Sequence, residues 1–365
     1  MIAGSTLNVL PKLNFIPVRR LATCSLIAVV LVSCSESSVV PPTAPSSLNS
    51  ERIGELGIAC AADIQVQSVD GKAVPVSFSL ATTEGGEAPV TTTCDAESNA
   101  EFPIARTTVG CSASDKLGQA ASCTFDVVVL SPPKLSVSKV LAFGDSITSG
   151  IVSIPILGVI RLGLEPWNSY PTKLQGKLRQ AYQYQAPSVI NEGVAGERAA
   201  DAPARLRAAL NRHQPDVVIL MEGTNDLGAA DAEESARDQL ALDGIEEMLD
   251  DIKSANATAI LATIAPVRES GPGIHSALVG PYNTQLRSIA ASRGIQLVDV
   301  HALLSSGACQ PMSCIGDDNI HPTVQGYSVM ADAFYERLVT LYDVPITVPT
   351  AVGFGNEVLE TSWSK

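Results

Sequence analysis

The chain has 365 residues, of which 45% are hydrophobic and 17% charged, and carries a formal net charge of −14. This length exceeds one typical domain, so two folded regions are expected, with ample apolar content for a core in each. The acidic balance and the lack of any basic patch exclude a nucleic-acid partner, because phosphate binding needs clustered Lys and Arg.

At the N-terminus, Arg19 and Arg20 precede the apolar run LATCSLIAVVLV, Leu21 to Val32. Twelve such residues are too few to span a bilayer but suit the core of a signal peptide. Residues 1–33 are therefore expected to be a signal peptide and the chain to be exported. Leu31, Val32, Ser33 and Cys34 resemble a bacterial lipobox. The resemblance implies cleavage before Cys34, lipidation of that cysteine and attachment to the cell envelope. Ser35 in place of Asp implies the outer membrane if the cell is Gram-negative. An ordinary signal peptide that contains a cysteine is the alternative. Cleavage removes Lys12, Arg19 and Arg20 and no acid, taking the net charge from −14 to −17. Acyl chains rather than basic residues would then hold the protein to the membrane. Residues 34–50, rich in Ser and Pro, read as a flexible tether.

Residues 51–131 alternate short β-prone runs with Gly, Asp and Asn: DIQVQSV, VPVSFSL, PVTTTC, TTVGCSAS and SCTFDVVVL. With few helix formers between them, they predict a small β-sandwich. Beyond Cys24 and Cys34, six cysteines remain: Cys60, Cys94, Cys111, Cys123, Cys309 and Cys314. An even set in an exported chain reads as disulfides. The rival, metal binding, finds no Cys-x-x-Cys pair and no His beside any of them. The four cysteines of the β region allow three pairings, one of which joins Cys60 to Cys123 and Cys94 to Cys111. The segment FPIARTTVGCSASDKLGQAASCTFDVVVL, with Cys60 and Cys94 upstream, resembles the hyalin repeat (HYR), an immunoglobulin-like module. That resemblance implies either a spacer or an adhesion module with a carbohydrate or protein ligand.

Two prolines in SPPKLSVS, residues 131–138, mark a boundary. Beyond it, apolar runs at 140–144, 188–193, 216–223, 258–266 and 295–300 interleave with helical patterns around 169–181, 201–212, 235–254, 278–293 and 323–341. This alternation predicts a parallel five-stranded sheet covered by helices on both faces, an α/β domain over 136–345. Residues 346–365 form a tail of no assigned role. In such sheets chemistry collects at the carboxyl ends of the strands. The first predicted strand ends at Ser146 in GDSITSG, the second in NEGVAGE with Gly196, and the third in EGTND with Asn225. The loop after the fifth carries DDNIHP with Asp318 and His321.

In this order the four motifs resemble the blocks of the SGNH (GDSL) hydrolase superfamily. The likeness covers about residues 139–341 and implies a three-layer, flavodoxin-like α/β/α fold. It further implies Ser146 as nucleophile, Asp318 and His321 as the rest of a triad, and Ser146, Gly196 and Asn225 as oxyanion-hole donors. Gly193, the earlier glycine of its block, is read as a turn residue. A serine hydroxyl is a weak nucleophile until a neutral imidazole takes its proton, and a carboxylate fixes that imidazole's tautomer. His213, His275 and His301 lie outside any motif and read as structural or solvent-facing. Asp145 is expected to organise the serine turn, and Cys309 with Cys314 to hold the catalytic loop. Read as a metal site, DDNIH lacks a second histidine in any motif.

The expected reaction is hydrolysis of carboxylic esters through an acyl-serine, with no metal or organic cofactor. The blocks around Ser146 and SYP, residues 169–171, resemble most the lysophospholipase and short-chain esterase branch. A carbohydrate O-acetyl esterase is the alternative enzyme, and a catalytically inert surface adhesion lipoprotein is the alternative of another class. The stretch IVSIPILGVIRLGLEPW after the serine is expected to form either an apolar wall or flap beside Ser146 or a helix packed on the core.

Overall fold

Alternating burial along two long strands organises the N-terminal region of the computed structural model, which describes residues 54–228, 234–268, 274–310, 313–347 and 351–352. The segments expected as signal peptide and tether, Cys34 included, and most of the tail lie outside the described residues. The strands are β1 (Gly57–Ala59), β2 (Ile64–Gln67), β3 (Val74–Val76), β4 (Thr82–Glu84), β5 (Thr91–Cys94), β6 (Ala100–Phe102), β7 (Arg106–Ser114) and β8 (Ala120–Leu130). β7 pairs antiparallel with β5 and β8, and β8 carries β2 in parallel on its other edge. Val109 and Cys111 of β7 and Phe125, Val127 and Val129 of β8 point to one face. Val76 of β3 and Phe102 of β6, a separate antiparallel pair, close over them. This is a small all-β sandwich. Its thin core is reinforced by Cys60–Cys123 and Cys94–Cys111, which span 63 and 17 residues. Closing loops of that size stabilises by about 4 and about 3 kcal/mol.

The second region is built on β9 (Lys139–Gly144), β12 (Ser188–Gly193), β13 (Val217–Met221), β14 (Thr258–Ala262) and β15 (Gln296–Val298). All pair in parallel, in the order β12-β9-β13-β14-β15. The two-residue period of the strands divides their apolar side chains between two cores. Val140, Ala142, Val217, Ile219, Ile260 and Ala262 face α2 (Tyr170–Ala181) and α7 (Val324–Tyr342), meeting Leu174, Leu178, Tyr327 and Phe334. Leu141, Phe143, Val218, Leu220 and Leu261 face α3 (Pro203–His213), α4 (Glu234–Ser254) and α5 (Ser276–Arg293), meeting Leu206, Ile245, Leu249 and Leu286. The result is the three-layer α/β/α fold expected from the sequence. The chain leaves β9 toward β12 and returns to β13 on the other side. The crevice of this sheet therefore opens at the carboxyl ends of β9 and β13.

Three local readings need correction. Of the two readings of the stretch after Ser146, the helix packed on the core is the one that fails. α1 (Ser146–Ser149) gives way to a hairpin of β10 (Ile151–Ile156) and β11 (Val159–Leu164). Its β-branched residues disfavour a helix, and Leu157 and Gly158, at φ 48° and 80°, make a two-residue hairpin turn. Gly193 is the last residue of β12 rather than a turn residue. A Cβ there would lie 2.1 Å from the Ser149 amide nitrogen, so the need is for close approach. The boundary segment, finally, belongs partly to the α/β region: Leu135 is buried in its core, and the Gln185 side chain bonds the backbone of Leu135 and Val137. From the tail, Ala351–Val352 (β16) pairs in parallel with Arg106–Thr107 of β7.

Two alanine substitutions separate close approach from propensity. Gly193→Ala is expected to lower stability by about 1–3 kcal/mol by forcing β12 off α1. Gly176→Ala, exposed in the middle of α2 with open space at its Cβ, is expected to raise it by about 1 kcal/mol. Urea denaturation of both variants measures the two shifts.

Candidate active site

At the carboxyl end of β9 the chain must turn sharply into α1, and local chemistry enforces it. The Asp145 carboxylate caps the helix by accepting from the Ile147 amide at 2.8 Å. Gly150, at φ 94°, ends α1 in the left-handed region. A Cβ on Gly144 would lie 2.2 Å from Thr148 Oγ1 and 2.4 Å from the Met221 carbonyl, so α1 sits directly on the strand ends. Ser146, at the first position of this helix, is thereby fixed over the crevice.

From the far edge of the sheet, the loop before α7 reaches the same point. Ser146 Oγ donates to His321 Nε2 at 2.8 Å. His321 Nδ1 donates to Asp318 Oδ2, and the His321 amide to Asp318 Oδ1 at 3.1 Å. Burial raises the Asp318 pKa, but the bonds and charge of His321 and the amide of Ile320 outweigh it and hold the carboxyl below its ordinary range. Asp317 lies outside this line, with its amide donating to Ser153 Oγ at 2.9 Å. The Cys309–Cys314 disulfide closes the preceding turn, and the Cys314 carbonyl accepts from the amide of Thr323, the cap of α7.

Gly196 follows β12 in a turn closed by the Glu197 amide on the Val194 carbonyl at 3.2 Å, and its φ of 80° favours glycine. Ser146, Gly196, Asn225 and His321 line one cavity of about 540 Å³, with Ile151, Leu162, Ala195, Arg198, Ile274 and Ile320 as the rest of its wall. A roomier cavity of about 630 Å³ lies where β14 and β15 begin, lined by Leu249, Thr258, Gln296 and Tyr342 among others, away from these motifs. His213 bonds Glu192 at 2.7 Å, His301 belongs to the short helix α6 (Val300–Leu304), and His275 precedes α5. None of the three lines the Ser146 cavity. Among the described residues, no group of three or more His, Cys, Asp or Glu side chains is placed to hold a metal ion.

A second set of residues, which the motifs did not reveal, holds the donors in place. Asn225 Nδ2 donates to the Glu197 carbonyl at 2.8 Å. The adjacent Asp226 carboxylate returns the contact, accepting from the amides of Ala199 at 2.8 Å and Ala200 at 3.4 Å. Arg205 on α3 binds the Glu197 carboxylate and donates to the carbonyls of Glu192 at 2.8 Å and Gly144 at 3.3 Å. Its guanidinium stacks 3.8 Å from the centre of the Phe143 ring. One side chain thus ties together the ends of β9 and β12 and the Gly196 turn. Asp226 was readable only as the residue after Asn225, and Arg205 carried no signal because its partners lie at residues 144, 192 and 197.

Several acids here are buried. Burial pushes Asp145 up to about 6, against the opposing bond from Ile147. Glu222, fully buried, is pushed well up by burial first and then by the charges of Asp145 and Glu197.

Comparison with known proteins agrees with this architecture. The GDSL-like Lipase/Acylhydrolase family matches residues 142–329, and the chain belongs to that family. Among solved structures, it is similar to a lipase/acylhydrolase from Enterococcus faecalis, with 18% identity, a TM-score of 0.46, and 56% of this chain and 97% of that one covered. It is also similar to Axe2, an acetylxylan esterase from Geobacillus stearothermophilus, with 20% identity, a TM-score of 0.43 and coverage of 55% and 94%. A third is LAE5, an alpha/beta hydrolase enzyme from the metagenome of Lake Arreo, Spain, with 23% identity, a TM-score of 0.43 and coverage of 56% and 96%. No curated protein matches the chain.

The buried cap has a consequence for pH. Between the ordinary value of 3.8 and about 6, the folded protein keeps a proton on Asp145 that the unfolded chain has released. Stability attributable to this group therefore falls as pH rises through that window, by about 3 kcal/mol in all. Asp145→Asn keeps the acceptor for Ile147 and removes the titration. Urea midpoints should show the variant gaining on the wild type between pH 4 and pH 7, and a constant difference would refute this assignment.

Proposed function

We propose that the chain is a carboxylic ester hydrolase working through an acyl-serine intermediate. The reading is carried by one observation: the hydrogen-bonded line Ser146 Oγ, His321, Asp318 opens into the same cavity as Gly196 and Asn225. His321 Nε2 takes the proton of Ser146 as Oγ attacks the ester carbonyl, and Asp318, held ionised, stabilises the imidazolium that forms. The carbonyl oxygen becomes an oxyanion received by the backbone N–H groups of Ser146 and Gly196 and by the side-chain amide of Asn225. Asn225 spends one amide hydrogen on Glu197 and has a second for the oxyanion. His321 then gives its proton to the leaving alcohol. Water, deprotonated by the same imidazole, attacks the acyl-serine; the oxyanion collapses and releases the acid, and Ser146 regains its proton. Disulfide bonds persist in oxidising compartments, so the three described here support a protein that acts after export.

Steady-state kinetics on p-nitrophenyl butyrate provide the test. Ser146→Ala should lower kcat by about 10⁴-fold or more. Asn225→Ala should cost about 100- to 1,000-fold in kcat, since it removes a donor needed most in the transition state. Full activity in folded Ser146→Ala would overturn the reading.

A further inference from the structure

The β10–β11 hairpin begins five residues after the nucleophile, and directly opposed residues of an antiparallel pair share a face. One face thus carries Ile151 with Leu164, Ser153 with Leu162, and Pro155 with Ile160. The other carries Val152 with Gly163, Ile154 with Arg161 and Ile156 with Val159; Val152 is buried in the core at the hairpin's base, Ile154 packs against that core, Ile156 and Val159 are exposed, and Arg161 is the hairpin's only charged residue. The first face is the one turned toward the chemistry: Ile151 and Leu162 line the cavity of Ser146 and His321, and Ser153 bonds the catalytic loop at Asp317. Along its β11 edge, from base to tip, this face is apolar and bare, with Leu164, Leu162 and Ile160 exposed by 58%, 57% and 45%. Contiguous exposed apolar surface of this kind marks a binding site.

We propose that this face is the subsite for the substrate's acyl chain, so that the enzyme prefers medium-length aliphatic acyl esters over acetyl esters. The inference rests on the esterase reading above. What singles out the acyl chain is continuity with the Ser146 cavity: the acyl group is bound to Ser146 through both halves of the reaction, whereas the alcohol departs after the first. From Ile151 to Pro155 the strip runs about 13 Å at the rise of a β-strand, enough for an extended chain of about ten carbons. A methylene lying on one apolar face gains roughly half of what a fully buried one does, which amounts to a factor of about two in kcat/KM for each.

The experiment is the p-nitrophenyl series from acetate to dodecanoate, below micellar concentrations, with the full chain and two variants. The expected kcat/KM rises by about 250-fold from acetate to decanoate, a factor of about two for each of the added methylenes. Ile160→Ser combined with Leu162→Ser should lower the decanoate-to-acetate ratio at least tenfold, whereas Val159→Ser on the opposite face should leave it unchanged. A wild-type optimum at acetate, or a ratio that survives the double substitution, overturns the subsite. So does a dependence on the alcohol chain instead, read from a parallel series of alkyl acetates. A double variant that keeps the ratio but no longer sediments with phosphatidylcholine vesicles would also overturn it, marking a lipid-docking face. If the folded wild type cleaves no ester, the esterase reading fails by itself. Calorimetric titration of Ser146→Ala with decanoic acid still decides the subsite, which requires binding that the Ile160→Ser, Leu162→Ser substitutions abolish.

Discussion

Everything at this site depends on how closely α1 lies on the ends of two strands. Gly144 and Gly193 are the last residues of β9 and β12, and a side chain on either would drive into α1 or Thr148. Without side chains there, the four-residue helix settles onto the sheet edge and carries Ser146 to the switch point between neighbouring strands. The Gly196 turn and the Asn225 turn leave from strands on either side of β9. The proposed nucleophile and oxyanion donors can then converge without any long loop. The precision comes from backbone contact, which is stiffer than any arrangement of side chains on loops.

The electrostatics follow from the same crowding. Asp145, Glu222 and Asp226 are buried near the strand ends, each with a pKa raised chiefly by burial. Such acids are tolerable only when neutral or well bonded. Asp226 is bonded by two amides, burial favours the neutral form of Glu222, and Arg205 meets the carboxylates of Glu192 and Glu197. Asp318 differs in being held ionised by its bonds to His321. The site thus keeps an ionised carboxylate next to the imidazole, while burial raises the pKa of Asp145 and Glu222 on its other side.

The legible parts of the sequence were those where one physical demand acts over a short stretch. The five sheet strands showed as apolar runs because both faces are buried, and the helices as 3.6-residue periodicity. Ser146, Asn225, Asp318 and His321 stood out because strand-end motifs are local. The hairpin stretch left two readings open, a wall beside Ser146 or a core helix, because its apolar content fits a helix unless the turn at Leu157–Gly158 and the β-branched alternation are given more weight than hydrophobicity. Arg205 was invisible because its role exists only once residues distant in the chain are brought together. The strand added by Ala351–Val352 could not be read either, since two residues carry no period.

On the proposed reading, the hairpin separates chemistry from selectivity within one site. Its base is pinned by the Tyr327 hydroxyl on the Ile151 carbonyl at 2.6 Å, by Val152 in the core and by Ser153 on the catalytic loop. Toward its tip, Ile156, Leu157, Val159 and Ile160 are exposed. A change at the tip alters surface that touches neither α1 nor the His321 loop, so side chains there can vary without disturbing the nucleophile. A change at the base moves both at once. The strip from Leu162 to Ile160 lies across that division, where the fixed geometry of the reacting atoms passes into a surface whose composition is free to follow the substrate.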